Sequence, residues 1–229
     1  MEKGYDVRFC LKQNETDWIK EFSNKYDISP NLVLFILLVE DKRFLRHRGV
    51  DWIGLIRAII HNIKSLGLRE GASTITQQLL VISGKSRRNK KIINKVNKII
   101  KAINTEKKLS KEELLTKYLE KVYFGRSYYG IYSAAENYFG TSVSNLNKAE
   151  SFFLAERIAL PNIFRKDRVI RMLNRPEIKK MFSKKDLKEL QRIYCEVFNI
   201  DVEILKEVGL NERFIQNPER SSSDPTSIS

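Results

Sequence analysis

Two adjacent carboxylates, Glu40 and Asp41, follow directly on the apolar run LVLFILLV at 32–39. They open the stretch VEDKRFLRHRGVD, residues 39–51, which also carries His47 and Asp51 among four arginines and lysines. A carboxylate at a helix end beside a hydrophobic wall has its pKa raised, toward the range in which a general base works near neutral pH. The same pattern also describes the solvated edge of a folded core. Residue types alone leave both readings open.

A second polar group follows in EGASTITQQLLVISG, residues 70–84. Ser73, Thr74, Thr76, Gln77 and Gln78 offer uncharged hydrogen-bonding groups there. The stretch lacks the lysine of a G-x-x-x-x-G-K-[ST] phosphate loop and the strand that such a loop follows, so it is not a nucleotide site. Behind it, residues 85–111 hold eleven Lys/Arg and one acid, Glu106. Ile92, Ile93, Val96, Ile99, Ile100 and Ile103 recur at helical spacing, with Lys91, Lys95, Lys98 and Lys101 mostly on the other side. This is a basic amphipathic helix suited to anionic lipid or to pyrophosphate. No zinc-finger spacing or leucine zipper accompanies it, which sets nucleic acid aside.

The elements that must position these groups read as helices. A short helix is expected over 16–28. Ser29 and Pro30 then mark a helix start, and the helix is expected to run to about Arg46, placing Glu40, Phe44 and His47 on one face. WIGLIRAIIHNIKSLG, 52–67, reads as a core helix or as one that dips into lipid headgroups. Ser110 and Glu113 form a capping box ahead of the next helix, which Gly125 closes. Further helices are expected within 128–140, 142–161 and 177–208, and the tail at 217–229 is expected to be disordered. No alternating strand pattern is present, so the fold class is mainly α.

The chain has 229 residues, 42% hydrophobic and 31% charged, enough for one compact domain with a small lobe attached. Its net charge of +14 favours anionic partners. Cys10 and Cys195 make no disulfide framework, and with two histidines no metal site is expected. Residues 1–30 show no signal peptide, and the eight-residue run 32–39 is too short to span a bilayer, which takes about 20 residues. A peripheral membrane location is the expectation, with no transmembrane helix.

The segments in this order resemble the peptidoglycan glycosyltransferase family. Four pieces carry the resemblance: the E-D-x-x-F-x-x-H-x-G-x-D signature at Glu40, Asp41, Phe44, His47, Gly49 and Asp51; GASTITQQL at 71–79; KYLEKVYFG at 117–125; and YGIYSAAENYFG at 129–140. The match covers roughly 28–161. It implies a lysozyme-like helical fold with a small membrane-facing jaw lobe, and a polyprenyl-pyrophosphate-linked sugar as donor. It makes Glu40 the general base, with Asp41 as a catalytic helper. His47, Ser73, Thr74, Thr76, Gln77, Gln78, Lys85, Lys95 and Lys98 become substrate-binding candidates. An anionic membrane surface and cell-wall synthesis proteins are the further partners implied.

The sequence departs from the family pattern at three places. Val81-Ile82 stand where a Lys-Asn pair is usual. Lys98 stands where the family has its second key glutamate, eight residues before Glu106. Glu120 and an insertion that adds Glu156 and Arg157 alter the later motifs. The resemblance suggests a divalent cation, which Lys98 disfavours. The expected organisation is an N-terminal segment 1–27, a core 28–161 with a jaw region at about 52–105, a helical part 162–212 and a tail 213–229. A catalytically degenerate binder of lipid-linked precursors is the alternative to an enzyme.

Overall fold

The structure is a computed structural model that describes residues 11–64, 73–84, 92–204 and 208. The calls made on Lys85, on the first ten residues and on the tail therefore lie outside the described residues. Eleven α-helices and two short 3-10 turns make up the described chain, and the single β-bridge, Tyr123 to Tyr129, belongs to no strand. The mainly α expectation holds.

Helix α2 (Pro30–Glu40) is the centre of the molecule, because an apolar sequence with no polar stripe has to be buried on every side. Every residue from Leu32 to Leu38 is buried. It packs against α1 (Gln13–Tyr26) and most extensively against α8 (Lys148–Arg157), where Phe35 meets Phe152 edge-on at 5.5 Å. Helix α11 (Lys184–Phe198) covers the far side of α8. The small helices α9 (Lys166–Leu173) and α10 (Pro176–Lys179) close over the C-terminal end of α2. Arg175 donates to the Leu38 carbonyl at 3.4 Å, and Lys42 pairs with Glu177 at 2.9 Å. One apolar core runs from Leu11 through Val208.

The second packing unit holds α4 (Ile75–Ile82) against both α5 (Ile92–Glu106) and α6 (Lys111–Lys121). Thr74 caps α4 and Ser110 caps α6, each in a capping box with the residue three places on, as the S/T-x-x-E/Q pattern requires. Helix α7 (Ile131–Phe139) ends at Gly140 in the left-handed conformation. Helix α3 (Trp52–Lys64) leaves Trp52, Ile53, Ile56 and Ile60 exposed, and α5 leaves Val96 and Ile100 exposed. No described helix is long and apolar enough to cross a membrane.

Several helix boundaries differ from expectation. The span read as helical over 177–208 is two helices, the second ending at Phe198, and the helix read as closing at Gly125 ends at Lys121. The largest difference follows α2. Helix α2 stops at Glu40 instead of continuing to Arg46, and a 3-10 turn follows at Phe44–Arg46. The cause is Asp41. Its backbone leaves the helical region (φ −157°, ψ 74°), and its side chain turns inward to two partners on other segments. The bend also buries Phe44 beside Trp18, at 6.4 Å between rings.

Candidate active site

Glu40 sits at the last position of α2, half-buried at the edge of the apolar core. Burial is the main reason its carboxyl is pushed above the ordinary glutamate range. The charges of Asp41 and Glu156 push it the same way, while a hydrogen bond from Gln78 and the charge of Arg168 act against them. Gln78 Nε2 donates to Glu40 Oε2 at 2.8 Å. The other oxygen, Oε1, makes no hydrogen bond among the described residues and is free to accept one.

Tyr118 fixes the orientation of Gln78. Its hydroxyl donates to Gln78 Oε1 at 2.9 Å. Burial, with the charges of Glu40 and Asp41 nearby, holds the Tyr118 phenol well above its ordinary pKa, so it stays a donor. The amide must then present its NH2 to Glu40. Three elements thus converge on one carboxylate: α2 brings Glu40, α4 brings Gln78 and α6 brings Tyr118.

Asp41 and His47 point elsewhere. Both Asp41 carboxylate oxygens lie 3.0 Å from His47 Nε2, and Oδ2 also accepts the Ile75 backbone N–H at 3.1 Å. Asp41 therefore neutralises one of the unpaired donors at the start of α4, where a negative charge is favoured. His47 Nδ1 lies 4.0 Å from Glu106 Oε1. Glu106 accepts from Thr76 at 2.5 Å and pairs with Lys111 at 2.7 Å. Lys111 in turn lies 4.4 Å over the Phe44 ring, and its burial lowers its pKa. This buried chain, Asp41–His47–Glu106–Lys111, ties the bend after α2 to α4, α5 and α6.

The polar group at 73–78 is split by the fold. Thr74 Oγ1 donates to the Gly49 carbonyl at 2.8 Å and caps α4, and Gln77 completes that cap. Thr76 is committed to Glu106. All three are buried, so their side chains hold α4 in place instead of lining a cleft. Ser73 is exposed, and Gln78 is the member that reaches Glu40. Lys95 is exposed and Lys98 half-buried on α5, the helix against which α4 packs. Asp51 caps the start of α3 through the Gly54 N–H at 2.9 Å and pairs with Arg43 at 3.1 Å.

Sequence reasoning passed over Tyr118, Glu106 and Arg168 as site members. Tyr118 and Glu106 stand three or more helices from Glu40 in the chain and share no period with it. Its place within KYLEKVYFG, on the capped helix at 111–121, was the available signal for Tyr118.

Among the described residues no group of three His, Cys, Asp or Glu gathers that could hold a metal ion.

Comparison with known proteins agrees with the motifs. A transglycosylase family model matches residues 9–182, beyond 28–161 at both ends. Penicillin-binding protein 1A of Streptococcus pneumoniae is 38% identical over 138 residues, 59% of this chain and 19% of the relative. That of Clostridium tetani is 39% identical over 145 residues, 60% of this chain and 18% of the relative. That of Neisseria flavescens is 32% identical over 206 residues, 89% of this chain and 25% of the relative. The chain thus spans a quarter or less of the length of these curated relatives. The helical architecture is consistent with the lysozyme-like fold that the motifs implied. With a match over most of its length and the signature acid Glu40 held by Gln78 at the end of α2, the chain belongs to the transglycosylase family.

Proposed function

We propose that this chain is an inverting glycosyltransferase that acts on a sugar linked to a lipid diphosphate, a peptidoglycan precursor or a relative of one, with Glu40 as general base. The observation that carries the reading is the setting of Glu40. It is a carboxylate with a raised pKa, one oxygen held by Gln78 and the other unengaged. Such a base is poised to take the proton of an acceptor 4-hydroxyl. The hydroxyl oxygen attacks the anomeric carbon of the donor, and the carbon–oxygen bond to the diphosphate breaks with its electron pair. Glu40 ends protonated, the diphosphate carries the charge, and the linkage inverts from α to β. Stabilising that departing charge falls to cations, for which Lys98 on α5 is a candidate.

A lipid-linked substrate requires access to a membrane surface. The exposed side chains Trp52, Ile53, Ile56 and Ile60 on α3, in a chain of net charge +14, suit an anionic one. A peripheral membrane location, a jaw region at about 52–105 and contacts with cell-wall synthesis proteins belong to this proposal.

The test is direct. Purified protein given detergent-solubilised lipid-linked disaccharide should form glycan polymer resolved by gel electrophoresis, and Glu40→Gln should abolish it. A second reading, a binder without catalysis, is favoured by Lys98 and by Val81-Ile82 in place of the usual glutamate and Lys-Asn pair. Measurable substrate binding with no polymer from the unaltered protein would establish that reading and sink the first. Lys98→Glu should weaken binding of the lipid-linked donor about tenfold under either reading.

A further inference from the structure

Helix α4 is eight residues long, and an isolated helix needs about 12–15 residues to be even marginal in water. Ile75, Leu79 and Leu80 bury its apolar side, but apolar packing is non-directional. Its orientation is left to polar contacts. The Thr74 hydroxyl and the Ile75 N–H anchor its start to the bend after α2, through the Gly49 carbonyl at 2.8 Å and Asp41 at 3.1 Å. Both lie at one end of the helix. The next contact is from Thr76 Oγ1 to Glu106 Oε1 at 2.5 Å, two residues before Gln78.

Glu106 stands where a carboxylate is costly. It is the last residue of α5, at the negative end of the helix dipole, and its side chain is 3% exposed. Donors from other elements offset that cost. Oε2 takes Lys111 Nζ at 2.7 Å, from the first residue of α6. Oε1 takes Thr76 and lies 4.0 Å from His47 Nδ1, a buried nitrogen with no hydrogen bond among the described residues. Lys111 precedes Tyr118 by seven residues, two helical turns, and so lies on the same side of α6. One carboxylate thus touches α4 beside Gln78 and α6 in line with Tyr118, the two side chains that bracket Glu40.

We infer that Glu106 is a positioning residue for Glu40. It sets α4 against α6 so that Gln78 and Tyr118 meet, and thereby keeps the Gln78 amide on the Glu40 carboxylate. Its bearing on catalysis rests on the proposed function, while the coupling of Glu106 to Glu40 is measurable without turnover. The sign of the coupling separates positioning from charge. Removing the negative charge of Glu106 by itself eases ionisation of Glu40. Losing the Gln78 donor hinders it, since that hydrogen bond favours the carboxylate.

The experiment follows the Glu40 carboxyl carbon by NMR across pH, its signal assigned by its absence in Glu40→Gln. The chains compared are the unaltered one, Thr76→Val, Thr76→Ser and Glu106→Gln. Thr76→Val removes the hydroxyl and alters no charge. Glu106→Gln keeps the shape but gives up one of the two acceptor oxygens that Thr76 and Lys111 use. Both should move the Glu40 titration to higher pH, and Thr76→Ser should recover most of the shift. Either shift should vanish in a Gln78→Leu background, where no donor is left to misplace. In turnover, kcat/KM at pH 7 should fall about tenfold in both variants, and the acidic limb should follow the NMR titration. Glu112→Gln removes a carboxylate paired with Lys25 at the surface of α6, and as the control it should move nothing. An unmoved Glu40 titration in Thr76→Val overturns the inference. So does a shift to lower pH in Glu106→Gln, or a shift that persists in the Gln78→Leu background. Thr76→Val decides alone if Glu106→Gln does not fold. Shifts of the expected sign with no polymer from the unaltered chain support this inference and remove the catalytic reading.

Discussion

Gln78 Nε2 donates to Glu40 Oε2 at 2.8 Å, and the Tyr118 hydroxyl at 2.9 Å from Gln78 Oε1 leaves the amide no other orientation. This pairing ties α4 to Glu40 through a single side chain. The hydrogen bond favours the ionised carboxylate, against the burial that raises its pKa. Gln78→Leu removes the donor and keeps the bulk. The Glu40 pKa should then rise further. In its proposed role as a base, Glu40 works ionised, so the acidic limb of the kcat/KM profile should move to higher pH, and activity at neutral pH should fall about tenfold, as for loss of one charge-assisted hydrogen bond. A pH–rate profile with an unmoved acidic limb would count against Glu40 as the base.

The raised pKa of Glu40 also sets a stability signature. Between its unfolded and folded values the folded chain binds the extra proton, so stability declines as pH rises through that window. Below the unfolded value, about 4.3, the carboxyl is neutral in both states and the penalty is absent. Glu40→Gln should therefore raise Tm by a few degrees at pH 7, and the gain should shrink toward zero near pH 4. Thermal melts at the two pH values check this. A destabilised Glu40→Gln at pH 7 would mean that its setting favours the charge.

Asp41 is adjacent to Glu40 in sequence but serves the fold. It accepts the Ile75 N–H at 3.1 Å and holds His47 at 3.0 Å while 6% exposed. Asp41→Ala leaves a helix N-terminus and a buried imidazole unpartnered. The expected cost is about 3 kcal/mol, readable in urea unfolding. Activity should fall along with it, since α4 carries Gln78. A variant with native stability and lost activity would instead make Asp41 a participant in the chemistry.

Much of this was legible in the sequence, for identifiable reasons. The Ser110–Glu113 cap is a short-range device, and α6 begins where those residues say. The apolar run 32–39 had to be buried, and α2 is. What the sequence hid is contact between distant segments. Local periodicity carried α2 on to Arg46, because a helix continues unless a long-range partner pulls a residue out, and Asp41's partners lie at His47 and Ile75. The polar residues 73–78 read alike as cleft-lining groups, yet three of them face inward because Glu106 and the Gly49 carbonyl are there to receive them. Glu156 and Arg157 read as extra length in a motif. Only the packing of α11 makes them a buried pair beside Arg168.

Gly49 offers the last test, because two glycines separate backbone strain from crowding. Its φ is +89°, and its carbonyl accepts the Thr74 hydroxyl at 2.8 Å. A Cβ added there would stand 2.7 Å from both the Ala102 carbonyl carbon and the Ile103 nitrogen of α5. Neither backbone atom can yield without moving the helix that carries Lys98. Gly84 has a similar positive φ of +68° but nothing within 4 Å of an added Cβ. Gly84→Ala should cost only the left-handed backbone penalty, about 1–2 kcal/mol. Gly49→Ala should cost that plus the overpacking of α5, together about 3–5 kcal/mol by urea unfolding. It should also depress turnover under conditions where the variant remains folded, because α4 and α5 both shift relative to Glu40. Equal stability losses at the two glycines would show that the loop before α3 gives way and that α5 is not held against it.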